Sequence, residues 1–229
     1  MRPIPHIRIF LPHLFASLLA GMSMPSLADT SSNDQANVPT PSTSHLRHLV
    51  TGSLTREHIA ALDAALAAHP DLKEIELIDI PGASGIAPEI AYQFQWRINQ
   101  HQLHTFARGE CASTCAYIFL MGHERTLLPA RIGGETVLLM HSIHSSATGA
   151  FERTYNDDLI SIVHQRSQGK LPLDLLNKMY NTTDRSGGIY IYRKPISTGG
   201  HVFFQAQYGA KRIKISDATP ADLGIKVDE

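Results

Sequence analysis

The sequence predicts an α/β fold built around a largely parallel sheet. Three observations carry that expectation. Segments of strand period alternate with segments of helical period along the chain. Turn residues, chiefly Pro and Gly, stand where one period gives way to the other. Of the 229 residues, 43% are apolar, enough to pack one core of ordinary size. Repeated strand, turn and helix units place helical crossovers between parallel strands.

The elements follow in order. Residues 46–54 read as a first strand and turn, and Thr55 stands where it can cap a helix. Ile59, Leu62 and Leu66 recur at helical spacing until His69 and Pro70 stop that helix. Residues 74–80 (EIELIDI) form a strand that runs into the turn Pro81-Gly82-Ala83-Ser84-Gly85, and a helix occupies 88–101. A strand at 103–107 is followed by Gly109 and by an apolar helix over 111–121 that opens with small residues. Residues 137–140 read as a buried strand ending at His141, 155–168 and 172–180 as helices, and 189–192 and 201–204 as strands joined across Ser197-Thr198-Gly199-Gly200.

The first thirty residues stand apart. Arg2 and Arg8 are the only charges before Asp29, the run from Ile9 to Met22 is mostly apolar, and Ser26 and Ala28 fit a small-residue cleavage site. Residues 1–28 are therefore expected to be a signal peptide, with cleavage after Ala28 and export to the periplasm or beyond. The run is shorter than the roughly 20 residues needed to span a bilayer, which disfavours an uncleaved anchor. No Cys follows it, so lipid anchoring is not indicated. Residues 29–44 (DTSSNDQANVPTPSTS) read as a disordered linker, leaving one domain over 45–229. Loss of Arg2 and Arg8 leaves 18 basic against 21 acidic residues, a net charge of −3. That balance excludes a nucleic-acid binder, which needs a basic surface. No later segment is apolar enough to cross a membrane.

Chemistry gathers where strands end. The segment Gly109-Glu110-Cys111-Ala112-Ser113-Thr114-Cys115 sets a serine among small residues at a switch from strand to helix. A helix start offers unpaired backbone N–H groups and the positive end of the dipole, so a nucleophile there sits beside donors for a developing oxyanion. Taken alone, a serine here is more commonly an N-cap.

In company with its neighbours this stretch resembles the Clp protease proteolytic subunit and the wider crotonase-like superfamily, in particular secreted bacterial relatives with a G-x-C-x-S-x-C segment. Ile78-Asp79-Ile80-Pro81-Gly82-Ala83 is similar to the strand and Pro-Gly-Gly turn of that family. Residues 109–122 resemble its serine-bearing helix, and Met140-His141 its catalytic histidine at a strand end. Asn181-Thr182-Thr183-Asp184-Arg185 is similar to the acid-bearing segment, and 204–209 to a later helix in which an Ala and a Tyr-Gly recur. The resemblance spans about 46–215 and implies a fold of repeated β-β-α-type units.

It further implies a secreted serine hydrolase acting on peptides, unfolded segments or small acyl substrates. Ser113 would be the nucleophile, His141 the general base and Asp184 the acid that fixes the imidazole tautomer. The oxyanion hole would be the N–H of Thr114 with that of Gly82 or Ala83. The family's second turn glycine is Ala83 here, and a positive φ at that position would misshape the hole. Asp157 and Asp158 are nearer His141 in sequence, but they fall in the first turn of a predicted helix, where acids commonly answer the dipole. His141 alone also reads as a core histidine. Lys replaces His as base in some members of the superfamily, but none lies between Ser113 and His141, which favours His141.

Cys111 and Cys115 flank the serine, and export makes a disulfide between them the expectation; in a reducing compartment they would be two small buried hydrophobes. His101/His104 and His141/His144 are spaced His-x-x-His, but no third ligand has diagnostic spacing, so neither a metal nor a cofactor is expected. The resemblance implies a homo-oligomer, and an exported protein has no ATP for an unfoldase partner. A non-catalytic, oligomeric binding or scaffold protein that keeps the fold is the contrasting reading.

Overall fold

The structure is a computed structural model, and residues 46–83, 87–144, 152–184 and 186–228 are described, all within the unit Thr43–Glu229. The expected signal peptide (1–28) and linker (29–44) lie outside the described residues. Among the described residues nine strands form one sheet: β1 Arg47–Thr51, β2 Glu74–Ile80, β3 His104–Ala112, β4 Arg125–Leu128, β5 Val137–Met140, β6 Gly188–Tyr192, β7 Val202–Gln205, β8 Ile213–Ser216 and β9 Lys226–Val227. The helices are α1 Arg56–Ala68, α2 Ala87–His101, α3 Thr114–Leu120, α4 Arg153–Arg166 and α5 Leu173–Leu176, the last continuing into a 3-10 turn at Asn177–Asn181.

The order is β1-β2-β3-β5-β6-β7-β8, with β4 on β3 and β9 on β4. Strands β1, β2, β3, β4, β5 and β9 pair in parallel. Strands β5, β6, β7 and β8 pair antiparallel. The α/β expectation with a mostly parallel core therefore holds, and the hairpin across 197–200 joins β6 to β7.

Thr55 caps α1 as expected, with its side chain taken by the helix and its own N–H answered by His58 Nδ1 at 3.1 Å, so a histidine completes the box that Glu or Gln usually closes. Ile59, Leu62 and Leu66 of α1, Ile90, Phe94 and Ile98 of α2, all of α3, and Leu159, Ile160 and Val163 of α4 bury into one core with Ile75, Leu77, Leu138, Ile189 and Ile191 of the strands. Because strand side chains alternate, Val137, Leu139, Tyr190, Tyr192 and Phe203 form a smaller cluster on the opposite, open face of the sheet.

On the open face of β1 to β3, Arg47 bonds Glu74 and Glu76 at 2.8 Å each, and Arg108 reaches Glu76 at 2.6 Å. Burial works to raise the Glu76 pKa, but Arg108 and Arg47 hold it below the ordinary carboxylate value.

Strand β3 carries the principal departure from expectation. It does not end at Ala107 but continues to Ala112 through an irregularity: Ile78 pairs with Arg108 while Ile80 pairs with Cys111, two steps on β2 against three on β3. Gly109 has φ 73°, and a Cβ there would fall 1.8 Å from Asp79 Oδ1, so only glycine fits. Periodicity alone could not show this, because an extra residue breaks it. Before the bulge, Thr105 to Arg108 pair with β4; after it, Glu110 to Ala112 pair with β5. Buried Thr136 sits in the fork, its hydroxyl accepting the Gly109 N–H at 3.0 Å and donating to the Leu128 carbonyl at 2.5 Å.

The other differences are local. The helix expected from Cys111 begins at Thr114, because the bulge leaves Cys111 and Ala112 in strand pairing. The expected helix at 204–209 is absent: Phe204 and Gln205 complete β7 and a turn follows. Strands β4, β8 and β9 are short and their sequences (RTLL, IKIS, KV) carry little pattern, so they were not expected.

Replacing Thr136 by Val leaves two buried backbone groups without partners and should lower unfolding stability by about 2 kcal/mol, whereas Ser keeps most of it. Chemical denaturation of the two variants checks this, and equal stability of Thr136→Val and the parent would remove the fork hydroxyl from the account.

Candidate active site

Ser113 occupies the sharp turn between β3 and α3. Its backbone has φ 59° and ψ −125°, a region that L residues rarely enter. Four restraints impose it. The Ser113 N–H donates to the Leu139 carbonyl at 2.8 Å, which prolongs the β3 to β5 ladder. The Ser113 carbonyl accepts from the N–H groups of Ala116 and Tyr117 at 3.0 and 3.4 Å, starting the helix. Cys111 and Cys115 are joined as a disulfide with Cα atoms 5.2 Å apart, so the bridge spans from strand end to first helical turn and encloses the serine. Gly82 lies against it, since a Cβ there would come within 2.9 Å of Ser113 Cβ and 3.4 Å of its Oγ. Ser113 is 9% exposed.

The Pro81-Gly82-Ala83 turn ends β2 beside the serine and is tied to the first crossover. The Leu54 N–H donates to the Gly82 carbonyl at 2.8 Å, and Leu54 and Ala83 form an isolated parallel bridge. The positive φ expected to trouble Ala83 falls on Gly82, at 126°, and Ala83 is not in the left-handed region. The substitution of Ala for a second glycine therefore carries no backbone strain. Among the described residues the N–H groups of Gly82 and Ala83 meet no acceptor, and Thr114, first in α3, has no intrahelical partner for its own.

His141 follows β5 by one residue and lies against a cavity. Its Nδ1 faces the Ser142 carbonyl at 3.0 Å, and His144 Nδ1 faces the same oxygen at 2.9 Å. Nδ1–H donation to that carbonyl leaves Nε2 as the ring's acceptor. Burial holds the imidazole pKa below its ordinary value; the Ser142 carbonyl opposes the shift and His144 adds to it. No hydrogen bond joins Ser113 Oγ to His141 among the described residues.

Asp184 is not brought to His141. Its Oδ1 accepts the N–H groups of Ser186 and Gly187 at 2.8 and 2.9 Å, and its Oδ2 that of Tyr208 at 2.9 Å. Those bonds, Tyr208 first, hold its pKa below the usual carboxylate range. The carboxylate thus pins the 184–187 turn to Tyr208, while a carbonyl takes the place at Nδ1 that an acid was expected to fill. The other two acids are also engaged elsewhere: Asp157 accepts from the Tyr180 hydroxyl at 2.7 Å and Asp158 from that of Tyr92 at 3.2 Å.

Two residues that position His141 escaped the sequence reading. Fully buried Asn156 takes both backbone groups of Ile143, accepting its N–H at 2.7 Å and donating to its carbonyl at 2.9 Å. The signal was there: Asn156, Leu159, Ile160 and Val163 share one helical stripe, and a polar residue on an apolar stripe must have a buried partner. Tyr117, on the serine's own helix, donates to the His141 carbonyl at 3.3 Å.

The cavity beside His141 measures about 680 Å³ and is open to solvent. Ala112, Leu139 and Tyr190 on neighbouring strands supply its floor, with Pro81 at one margin and Tyr208 at another. It touches the residues preceding Ser113 and Gly82, although neither of those two lines it. Among the described residues Glu110 and Arg212 carry its formal charges apart from any on His141. Among the described residues no cluster of three or more His, Cys, Asp or Glu is arranged to hold a metal, and no helix is long and apolar enough to cross a membrane.

No family model matches the chain, and no curated protein matches it. Among solved structures it is similar to the ClpP protease catalytic domain from Plasmodium falciparum, with a TM-score of 0.47 and 15% identity over 64% of this chain and 76% of that one.

Glycine adopts the Ser113 backbone geometry without strain, so Ser113→Gly should exceed Ser113→Ala in stability by about 1 kcal/mol, against the usual order of these residues. Thermal or chemical unfolding of the pair decides it, and a more stable Ala variant would reject strain at this position. His141 supplies a pH signature. A folded-state pKa below the unfolded one means that the unfolded chain binds more protons as the pH falls past about 6.5, so stability drops from pH 7 to 5. The drop should be smaller in His141→Gln; equal slopes in the two proteins would show that the imidazole is not held neutral by burial.

Proposed function

We propose that the chain is a secreted serine hydrolase, acting on peptides or small acyl substrates, with Ser113 as nucleophile and His141 as general base. The observation that carries the reading is the backbone of Ser113: a strained residue at a strand-to-helix turn, held by a disulfide, a ladder bond and Gly82, is the geometry that sets a nucleophile beside unpaired N–H groups. The Leu139 carbonyl that holds the Ser113 N–H lies two residues before His141 on the same strand end, and catalytic hydrogen bonds often form only with substrate bound.

His141 Nε2 takes the hydroxyl proton as Ser113 Oγ bonds to the substrate carbonyl carbon. The oxyanion settles among the N–H groups of Thr114 and of Gly82 or Ala83, each worth about 3 kcal/mol of barrier if well aimed. The scissile C–N or C–O bond breaks as the imidazolium returns the proton to the leaving group, and water repeats the sequence to release the acid. The Ser142 carbonyl, in place of a carboxylate, keeps Nε2 unprotonated at rest, but stabilises the imidazolium less than a negative charge does. A slow hydrolase follows.

One observation favours the second reading, a non-catalytic and oligomeric binding protein: the carboxylate expected to support His141 is fully engaged with backbone N–H groups instead.

A fluorophosphonate probe separates them. Disulfide-intact protein should be labelled at Ser113, with no labelling of Ser113→Ala and a rate lowered at least about a hundredfold in His141→Ala. The rate should also persist below pH 6.5, because a base with a depressed pKa stays neutral in milder acid. Absence of labelling while a control hydrolase reacts removes the enzymatic reading.

A further inference from the structure

The open face of the sheet carries a cation that the hydrolase chemistry does not use. Arg212 precedes β8 and reaches back over β6, with its guanidinium carbon 4.0 Å from the centre of the Tyr190 ring and 5.8 Å from that of Tyr192. Nε donates to Gln205 Oε1 at 3.0 Å and Nη1 to the Tyr192 hydroxyl. The side chains that hold it, Tyr190, Tyr192 and Gln205, are each buried. Two neutral acceptors and an aromatic seat therefore fix the plane of the guanidinium without cancelling its charge. Among the described residues no carboxylate pairs with Arg212.

The acids nearby are placed so that they leave this charge open. Asp184 spends its oxygens on the N–H groups of Ser186, Gly187 and Tyr208. Glu110 lines the same cavity but stands on β3, with β5 between it and Tyr190 of β6. The contacts of Arg212 run to Gln205 and Tyr192, and among the described residues no ion pair joins it to Glu110. Leu139 lies on the strand between, and His141 follows that same strand. Small residues at Gly209 and Ala210 complete the wall by Arg212 and leave room for an occupant.

We propose that Arg212 is a specificity residue that binds a carboxylate of the substrate, so that the Ser113 centre acts on acidic acyl compounds, peptides above all. The assignment rests on the hydrolase reading for its chemistry, but not for its binding. Nη2 of that guanidinium makes no hydrogen bond among the described residues and can donate a charge-assisted bond to a carboxylate oxygen. Glu110 in the same cavity disfavours a doubly charged phosphate more strongly than a singly charged carboxylate. The carboxylate has two sources in a peptide, an acidic side chain or a free carboxyl terminus, and both present the same group to Arg212.

The test uses Ser113→Ala protein, in which binding is read by calorimetry without turnover, and two pairs of acetylated tetrapeptides at low salt. One pair is amidated and differs by glutamate against glutamine at an internal position. The other lacks acidic residues and differs by a free carboxyl terminus against its amide. In one pair the charged member should bind at least about tenfold more tightly, the effect of a charge-assisted bond, and that pair identifies the source. The ratio should fall toward one in Arg212→Gln and survive in part in Arg212→Lys, which also guards against a variant that merely misfolds. Equal binding or none in both pairs, or a preference that persists in Arg212→Gln, overturns the proposal. Fluorophosphonate labelling of the Ser113-containing protein is read alongside: preference without labelling retains the carboxylate site and rejects the hydrolase, and labelling without preference does the reverse.

Discussion

The structure depends on one strand that changes partner halfway. Strand β3 must pair with β4 to close one side of the sheet and with β5 to reach His141, and both lie along the same edge. A regular strand cannot serve both, because the β4 chain would run into β5. The extra residue at Gly109 resolves the conflict by letting β3 bend, Asp79 covers the bend by accepting the Glu110 N–H at 3.3 Å, and Thr136 fills the fork. Everything downstream inherits that bend. It sets where Ala112 ends, hence how Ser113 turns, hence where α3 enters the core.

The two sides of the sheet solve different problems. Toward the helices the core is apolar and α3 is wholly buried, so the serine is mounted on the least movable element of the fold. Away from the helices the sheet keeps charge on its surface. Glu76 is neutralised twice over by Arg47 and Arg108 and serves to lock three parallel strands, whereas Arg212 is oriented by neutral groups and keeps its charge. The same residue type thus has a structural part at one margin and an open one at the other, and the difference lies in whether a carboxylate faces it.

Much of this was legible in the sequence. The alternating periods marked β2, β5, β6, β7 and the first, second and fourth helices within a residue or two, since each has enough apolar repeats to show its period. The serine, the glycine turn and the histidine were legible as residue types in order, and the fold sets Gly82 against Ser113. What was hidden depends on contacts distant in sequence. A bulge shows only as a lone glycine, and Thr136 as one more threonine. The partner of His141 Nδ1 is a backbone carbonyl, which no side-chain pattern can announce, and Asp184 looked available because the three N–H groups that occupy it come from a turn and from a segment more than twenty residues away.

The fork has a consequence for how such a chain can vary. Leu128 leaves β3 opposite Arg108 and Val137 returns to it opposite Glu110, so the segment between them starts and ends at nearly the same place. That segment is held at both ends, by the Pro129 carbonyl, which accepts from Arg108 at 2.6 Å, and by Thr136 with Glu135, which pairs with buried Arg193 at 2.7 Å; between them Ile132 is 92% exposed, and Gly133 and Gly134 have open space around them. Lengthening a loop whose ends are already fixed costs little, about 0.6 kcal/mol for a doubling. Residues 130–134 are therefore a point of free growth, where descendants of this chain can acquire a longer arm or a whole inserted module while the serine turn keeps its shape.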